Sequence, residues 1–344
     1  MFDSILNILN EIVLTLLGLL VGVLQYPFAP GQRIFWLYLV SSLFLAYFVY
    51  RSSNQADAKN TLFTKSFLNF LFPREIWENP SAWLDIRYFF FHQVVRLMIY
   101  GVFLAEVMAF MFNLLTGETG AIPESITFLE SDLGHILFST VYMFLLIAFI
   151  DFISFGMHYL QHKIPFLWEF HKVHHSLEVM HPISNYREHP VDNIFYMAGT
   201  GTAYGLFLGG VYLLFGYLPT MPQILGVPLL SFAFNMLGYN LRHSHIWLRW
   251  PGNWSMAFAS PAHHHIHHSC HPDHIDKNFA FIFPIWDVVF KTYHLPETNK
   301  DVHFGISKTY VSEYKSILAL YFLPFIKVAN LHKKAVKTSK KTSS

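Results

Sequence analysis

The distribution of apolar residues along the chain predicts a membrane protein. A helix needs about 17 to 25 mostly apolar residues to cross a bilayer, and six stretches of the sequence match that pattern. They are residues 8–26, 34–50, 89–115, 133–157, 194–218 and 224–241. Residues 219–223 alone separate the last two stretches, so we predict a helical hairpin there, in which Gly205, Gly209 and Gly210 allow close packing.

Composition supports the same class and narrows the chemistry. The 344 residues are 53% hydrophobic and 18% aromatic, and only 13% are charged, which is too apolar for a soluble globule. The single cysteine, Cys270, excludes disulfides within the chain and a cysteine-ligated iron–sulfur cluster. A redox metal would therefore need nitrogen or oxygen ligands. The net charge of +1, without a nucleic-acid motif, predicts no nucleic acid partner.

The basic residues predict the orientation of these spans. Lys and Arg are concentrated in residues 51–88, in residues 158–193 and after residue 241, whereas residues 116–132 carry four acidic residues and no basic one. Cytoplasmic loops are enriched in Lys and Arg. With six spans, this bias places both termini and the histidine-rich segments on the cytoplasmic side, where reductants are available.

Histidines supply the candidate chemistry. Sixteen of the 21 fall between His158 and His274, and three clusters stand out: His158 and His162; His171, His174 and His175; His264, His267 and His268. The last two clusters share the pattern His-x2-His-His, which on a helix places the rings along one face. Neutral imidazole is a good ligand for iron, zinc and copper. Eight converging rings predict two metal ions, because one tetrahedral zinc needs only four ligands.

A carboxylate shares the face of the first cluster. Asp151, His158 and His162 are seven and four residues apart, so at about 100° per residue they lie within roughly 40° of one stripe. Metal-bound imidazoles usually donate their free N–H to a carboxylate or carbonyl. Two interpretations of Asp151 stay open: it orients a ligand histidine, or it faces water at a helix end.

The motifs also carry a family resemblance. The segments are His158-Tyr-Leu-Gln-His162, His171-Lys-Val-His174-His175 and His264-His-Ile-His267-His268, followed by Asp276-Lys277-Asn278 and Ile285-Trp286-Asp287. In this order, over about residues 130–295, they resemble the fatty acid hydroxylase and sterol desaturase superfamily of integral-membrane enzymes. The resemblance implies a non-haem di-iron centre that uses dioxygen and two external electrons to oxidise a lipid C–H bond. One departure is Lys291 in Val288-Val-Phe290-Lys291-Thr292, where the family usually has Arg-x-Phe-Gly-Thr.

The resemblance adds further site residues. The superfamily commonly supplies another ligand just after the last span, at His243 here, so the predicted metal ligands are His158, His162, His171, His174, His175, His243, His264, His267 and His268. Asp276 and Asp287 follow the third cluster, and each either orients an imidazole or fills an ordinary turn or cap role. Arg187 pairs with a lipid headgroup or with Glu188, and His181 is expected to be a solvated loop residue.

The sequence thus predicts an all-α integral membrane protein, a helical transmembrane bundle with a cytoplasmic histidine-rich cap that holds a di-metal site. Its regions would be an N-terminal transmembrane and interfacial part (1–129), a catalytic domain (130–295), and a C-terminal interfacial helix with a basic tail (296–344). The expected helix over residues 309–327 is interrupted near Pro324.

The predicted activity is hydroxylation of a lipid, with desaturation as the related outcome. The cofactors would be two iron ions, for which zinc can substitute in purified protein, with dioxygen as cosubstrate. Partners would be the lipid, the membrane and a separate electron-donor protein, cytochrome b5-like or ferredoxin-like. The expected location is a bacterial inner membrane or the endoplasmic reticulum. The competing hypothesis is a histidine-rich membrane metal transporter or a non-catalytic metal-binding protein, whose ligands we would expect near mid-membrane.

Overall fold

The protein is mostly helical, as its apolar pattern predicts. The computed structural model describes residues 2–57, 66–126, 133–307 and 313–342. Of the predicted orientation signals, Lys59, Lys65, Glu130 and Asp132 lie outside these residues. The helices are α1 (Phe2–Gln25), α2 (Trp36–Asp57), α3 (Phe67–Leu71), α4 (Arg74–Trp77), α5 (Pro80–Val95), α6 (Gly101–Thr116), α7 (Leu133–Lys163), α8 (Pro165–His175), α9 (Pro190–Phe215), α10 (Leu229–Met236), α11 (Trp254–Ala257), α12 (Pro261–His267), α13 (Ile285–Val289) and α14 (Ile317–Thr342).

Shorter elements join these helices. A π-helical turn, Arg96–Tyr100, connects α5 to α6, and 3₁₀ turns occur at Tyr26–Phe28, Pro182–Tyr186, Tyr239–Leu241 and Pro272–His274. Within the described residues, the one sheet consists of strands β1 (Gln223–Ile224) and β2 (Val227–Pro228), paired antiparallel.

Three helices of the described chain are long and apolar enough to cross a membrane. They are Pro80–Thr116, which combines α5, the π turn and α6, then Leu133–Lys163 and Pro190–Phe215. These helices contain the third, fourth and most of the fifth predicted spans. Helices α1 and α2 coincide with the first two predicted spans but are not among the three. The six-span prediction is therefore reproduced only in part.

The sixth predicted span is wrong. Residues 224–241 divide into the β1–β2 hairpin, the short helix α10 and a 3₁₀ turn. Leu225 and Gly226, between the strands, both have positive φ, as a two-residue hairpin turn requires. An eight-residue helix such as α10 is about 12 Å long, well short of the ~30 Å hydrocarbon core. The apolar side chains of this segment serve the protein interior instead, with Phe232 packed against Phe35 and Tyr38.

The glycines of α9 allow close packing against α6 rather than against the expected sixth span. A Cβ added at Gly205 would lie 2.3 Å from the Met108 carbonyl oxygen, and one at Gly209 would lie 3.1 Å from a methyl of Leu115. Gly210 has nothing within 4 Å of an added Cβ. The prediction of close packing is therefore confirmed for Gly205 and Gly209, against a different partner, and is wrong for Gly210.

Prolines begin the segments that carry the histidines. Helices α8, α9 and α12 start at Pro165, Pro190 and Pro261, where the missing N–H of proline costs no hydrogen bond. A capping box between Ser260 and His263 adds to the start of α12. Because α8 begins directly after α7 ends, the histidines of α7 and α8 meet at one end of the long helices.

The C-terminal helix differs from the prediction. Helix α14 runs without a break from Ile317 to Thr342 and includes Pro324, while residues 308–312 lie outside the described chain. It packs on α8 and α5. Its Leu320 is buried in a cluster with Tyr88 and Val173, and Tyr314, which precedes the helix, belongs to the same cluster. Tertiary packing thus compensates for the hydrogen bond lost at the proline.

We predict that Gly205→Ala destabilises the protein by about 1–3 kcal/mol, because the new methyl would collide with backbone that cannot rotate away. Gly210→Ala is the matched control on the same helix and should be nearly neutral. Thermal unfolding of both variants in detergent measures the difference, and equal unfolding temperatures would contradict this account of α6–α9 packing.

Candidate metal centre

The nine histidines predicted as ligands lie in two adjacent clusters. The five-histidine cluster contains His158, His162, His171, His175 and His267, and the four-histidine cluster contains His174, His243, His264 and His268. Within each cluster, one candidate ligand atom of every ring lies within 4.8 Å of the others. The clusters are in contact, since the ring centroids of His175 and His268 are 4.4 Å apart.

The two His-x2-His-His motifs each supply both clusters. In α8, His171 and His175 join the five-histidine cluster and His174 joins the other, whereas in α12 and its C-cap His267 joins the five-histidine cluster, and His264 and His268 the other. The reason is helical geometry. Residues i and i+4 lie within about 40° of each other, and residue i+3 lies about 60° to the opposite side. Each motif therefore faces two sites at once.

Hydrogen bonds to Nδ1 fix most of the rings. His158 Nδ1 lies 2.9 Å from the Phe279 carbonyl oxygen, and His174 Nδ1 lies 3.2 Å from that of Arg187. His267 Nδ1 lies 2.9 Å from the Lys277 carbonyl oxygen. A carbonyl only accepts, so Nδ1 must carry the proton and Nε2 keeps its lone pair. Carboxylate oxygens approach Nδ1 of His171 and His162: Asp192 Oδ2 at 2.9 Å and Asp276 Oδ1 at 3.3 Å, respectively.

Several buried Nε2 atoms then have no partner. Those of His162, His171, His175 and His267 are buried and make no hydrogen bond to any residue that the structure describes. In the other cluster, His264 Nε2 lies 2.9 Å from His243 Nε2 and 3.0 Å from His268 Nε2. Burial lowers the pKa of His171 to about 3 and that of His174 to about 4, so both rings are neutral at physiological pH. Converging neutral nitrogen lone pairs are a donor set that fits metal cations.

His264 differs from the other rings. Its Nδ1 lies 3.2 Å from Arg242 Nη2, and because a guanidinium only donates, this Nδ1 must accept. In the absence of a cation the ring proton is then on Nε2, where His243 or His268 can accept it.

Two of the three predicted carboxylates accept hydrogen bonds from backbone N–H groups instead of contacting a histidine. Asp151 is buried and accepts hydrogen bonds from Ile282 N at 2.8 Å and Phe283 N at 2.9 Å, so it neither faces water nor contacts a ligand ring. Asp287 accepts from Phe279 N at 2.8 Å and from Ala280 N at 2.9 Å. Both hold the segment 279–287, whose Phe279 carbonyl meets His158.

Asp276 lies against the site in a strained segment. It contacts His162 and also pairs with Lys163. Asp276, Asn278 and Lys291 all have φ between 56° and 62°, the left-handed region that glycine occupies most easily. Lys291, where the family usually has glycine, adopts the left-handed backbone conformation that glycine occupies most easily.

Sequence reasoning missed Asp192. This buried carboxylate in the first turn of α9 meets His171, and Gln161 Nε2 donates to its other oxygen. An acidic residue in a first helical turn is ordinarily explained by the helix dipole, so the sequence offered no specific signal. Its position two residues after Pro190, beside Arg187 and His189, is the only hint.

The prediction for His181 is wrong, and both interpretations of Arg187 are also wrong. His181 is buried, with Nε2 3.3 Å from Asp85 Oδ2. Arg187 is buried as well and donates to Asp85, Ser176 and Ser81 rather than to a headgroup or Glu188. The polar loop composition could not reveal that α5 covers this segment.

A cavity of about 180 Å³ adjoins both clusters and is lined by residues that include His158, His171 and His264. Glu188 lies in its wall and accepts hydrogen bonds from Arg33 Nη1 at 2.7 Å and from Arg96 Nη1 at 2.9 Å. Burial alone would raise the pKa of Glu188, but the two guanidinium groups outweigh it and hold the pKa well below its usual range. Glu188 is therefore ionised.

Comparisons with known proteins agree with the motifs. Residues 143–292, which contain all nine histidines, match the fatty acid hydroxylase family. Alkylglycerol monooxygenase from Danio rerio is 27% identical over 173 residues, which cover 50% of this chain and 35% of that protein. The Homo sapiens protein of the same name is 27% identical over 158 residues, 46% of this chain and 31% of its own length.

A bacterial lipid enzyme is similar to the same extent. Ornithine lipid hydroxylase from Rhizobium tropici is 30% identical over 167 residues, which cover 48% of this chain and 45% of that protein. The chain therefore spans less than half the length of each of these relatives. No solved structure matches it.

Proposed function

We propose that the protein is a membrane-bound oxidoreductase that hydroxylates a lipid, because residues 143–292 match the fatty acid hydroxylase family. The observation that carries this proposal is the convergence of nine histidines into two adjacent clusters inside the matched segment. Similarity to an alkylglycerol monooxygenase and an ornithine lipid hydroxylase supports a lipid substrate. A metal transporter is disfavoured, since most of these rings are fixed by hydrogen bonds at helix ends instead of being distributed along a membrane path.

The proposed reaction consumes one dioxygen, two electrons and two protons for each lipid. A C–H bond and the O–O bond break, a C–O–H group forms on the lipid, and the second oxygen atom leaves as water. Two iron ions, when bound, would supply the activation of dioxygen, which redox-inactive zinc cannot provide even where it occupies the same ligands. The electrons come from a separate donor protein, cytochrome b5-like or ferredoxin-like. Desaturation begins with the same hydrogen abstraction and is the alternative outcome.

The chain's own residues would hold the reacting centre rigid and dry. Carbonyls of Phe279 and Lys277 and the carboxylate of Asp192 fix the tautomers of three rings, so that each presents Nε2 to its cluster. Asp151 and Asp287 position the 279–287 segment from behind. Burial of the rings limits water around a strong oxidant.

We infer that the histidine clusters lie on the cytoplasmic side, in a bacterial inner membrane or, as the alternative, the endoplasmic reticulum. Lys163 and Lys172 lie at the end of α7 that carries the clusters. Glu118 and Glu124 follow α6 and lie near the opposite end of α7. Because cytoplasmic segments are enriched in basic residues, we place the end of α7 that carries Lys163 in the cytoplasm.

Reporter insertions test this topology. A reporter near Lys172 should be cytoplasmic, and one near Gly120 should lie on the opposite side, because the 31-residue helix α7 separates the two positions by about 46 Å. Two reporters on the same side would contradict the proposed topology.

We predict that His267→Ala removes or misplaces metal and lowers product formation by at least tenfold, because His267 would be a ligand of the five-histidine cluster. The control is His303→Ala: the His303 side chain is exposed, and its hydrogen bonds to Ser269 and Cys270 use backbone atoms that alanine retains. Iron content and lipid product are compared at matched membrane abundance. Full metal and activity in His267→Ala would overturn the proposed ligand set.

A further inference from the structure

A second cavity lies apart from the metal centre, between α2, the α3–α4 region and the 3₁₀ turn Tyr239–Leu241. Its volume is about 200 Å³. It shares no lining residue with the cavity beside the clusters, and none of the nine histidines lines it. We call it the α2 cavity, and its walls include Ser42, Leu43, Ala46, Phe72, Trp77 and Asn240. The proposed reaction uses none of these residues.

The walls of the α2 cavity suit an uncharged ligand that is mostly hydrocarbon. Most of the lining residues are hydrophobic, and no Asp, Glu, Lys or Arg occurs among the described residues that line it. A charged group would lose its hydration there without gaining a countercharge. Leu43 and Phe72 are 45% and 59% exposed, so the cavity reaches the protein surface at an apolar rim.

Asn240 contributes a buried hydrogen-bond acceptor to these walls. Its Nδ2 donates to the Arg33 carbonyl oxygen at 3.0 Å. Because a carbonyl only accepts, this bond fixes which end of the amide is nitrogen and leaves Oδ1 as the other end. Oδ1 is buried and makes no hydrogen bond to any described residue. An acceptor in an otherwise apolar wall is costly to bury unless a ligand donates to it.

Ser42 contributes a second buried polar atom. A serine inside a helix usually points its hydroxyl into solvent or donates it to the carbonyl four residues back, as Ser53 does to Val49 at 2.9 Å. Ser42 does neither, since its Oγ is buried and makes no hydrogen bond to any residue that the structure describes. This hydroxyl can donate as well as accept.

A hydroxyl group matches both polar atoms. It can donate to Asn240 Oδ1, which an ether or ester oxygen cannot do, and it can exchange a hydrogen bond with Ser42 Oγ. Water could also meet these two atoms, but it would leave the hydrophobic walls wet. The hydrocarbon part of an alcohol would displace that water while its hydroxyl replaced the hydrogen bonds. An apolar cavity of about 150 Å³ already accepts benzene, so the α2 cavity has room for a hydroxyl and several carbons.

We propose that the α2 cavity binds the hydroxyl end of an uncharged lipid alcohol, at a site separate from the metal centre. The proposal concerns binding and does not depend on the proposed reaction. The site nevertheless adjoins a candidate ligand. Ser244, next to His243, lines the cavity, and so does His181. The backbone N–H of His181 donates to Ser184 Oγ, which lies 3.1 Å from His243 Nδ1. A bound alcohol would therefore contact the segments that position His243.

Photolabelling of the full chain in phosphatidylcholine nanodiscs, whose lipids carry no hydroxyl group, tests the proposal. The probe is an octanol with a photoactivatable diazirine near its far end, and mass spectrometry of the peptides locates the label. We expect label on lining residues such as Leu43, Phe72 or Trp77. Unlabelled 1-octanol should protect them at a membrane concentration at least about threefold lower than octane or octyl sulfate, since octane forms no hydrogen bond and octyl sulfate carries a charge.

Ser42→Ala separates ligand binding from folding. It should raise the 1-octanol concentration needed for half-protection about threefold to tenfold, as expected for one lost hydrogen bond. It should not lower the thermal unfolding temperature, because Ser42 Oγ makes no hydrogen bond to a described residue. Ser53→Ala is the matched control at an exposed position on the same helix, outside the cavity lining, and should be protected as wild type.

Three results would overturn the proposal. The first is label that is absent from the lining residues, which would mean that the cavity holds only water. The second is equal protection by octane or octyl sulfate, and the third is wild-type protection in Ser42→Ala. Label on the lining that 1-octanol displaces preferentially, with weaker displacement in a Ser42→Ala protein of unchanged thermal stability, would establish the site.

Discussion

Nine buried or half-buried imidazoles whose candidate ligand nitrogens converge are the constraint on which the rest of this structure depends. Burial lowers the pKa of His171 and His174 and keeps both rings neutral, and several rings present an Nε2 that no described residue satisfies. An unsatisfied buried acceptor costs about 1–3 kcal/mol, so four of them in the five-histidine cluster alone oppose folding. Two bound cations would give these unsatisfied acceptors metal–ligand bonds, which is why we interpret the arrangement as a metal-binding site.

The surrounding structure serves to orient those rings. Carbonyl and carboxylate oxygens hold Nδ1 of His158, His171 and His267. The carbonyl of Phe279 belongs to a segment held in turn by Asp151 and Asp287. A change at Asp151 would therefore reach the centre through two hydrogen-bonded steps, although that residue touches no histidine ring. Arg33, from the N-terminal region, lies in the wall of the cavity that adjoins both clusters.

That the histidines of each motif lie together was predictable from the sequence, because helical spacing encodes which side chains share a face. Spacing could not reveal which rings of different helices meet in one cluster, since that depends on where α8 and α12 face each other. Asp192 was unpredictable for a similar reason: its contact with His171 joins two helices. Hydropathy identified α7 and α9, yet it overcounted spans at 224–241, where apolar residues such as Phe232 pack inside the protein and Gly226 lies in the turn of a hairpin. His181 shows the opposite error, a polar loop residue buried against Asp85.

The central claim is that the two clusters hold two metal ions. Elemental analysis of protein purified without a histidine tag, with concentration determined by amino acid analysis, tests it most directly. We predict close to two metal ions per chain, iron when the protein is produced with iron available. Close to one ion, or none, in fully metal-supplied protein would contradict the account.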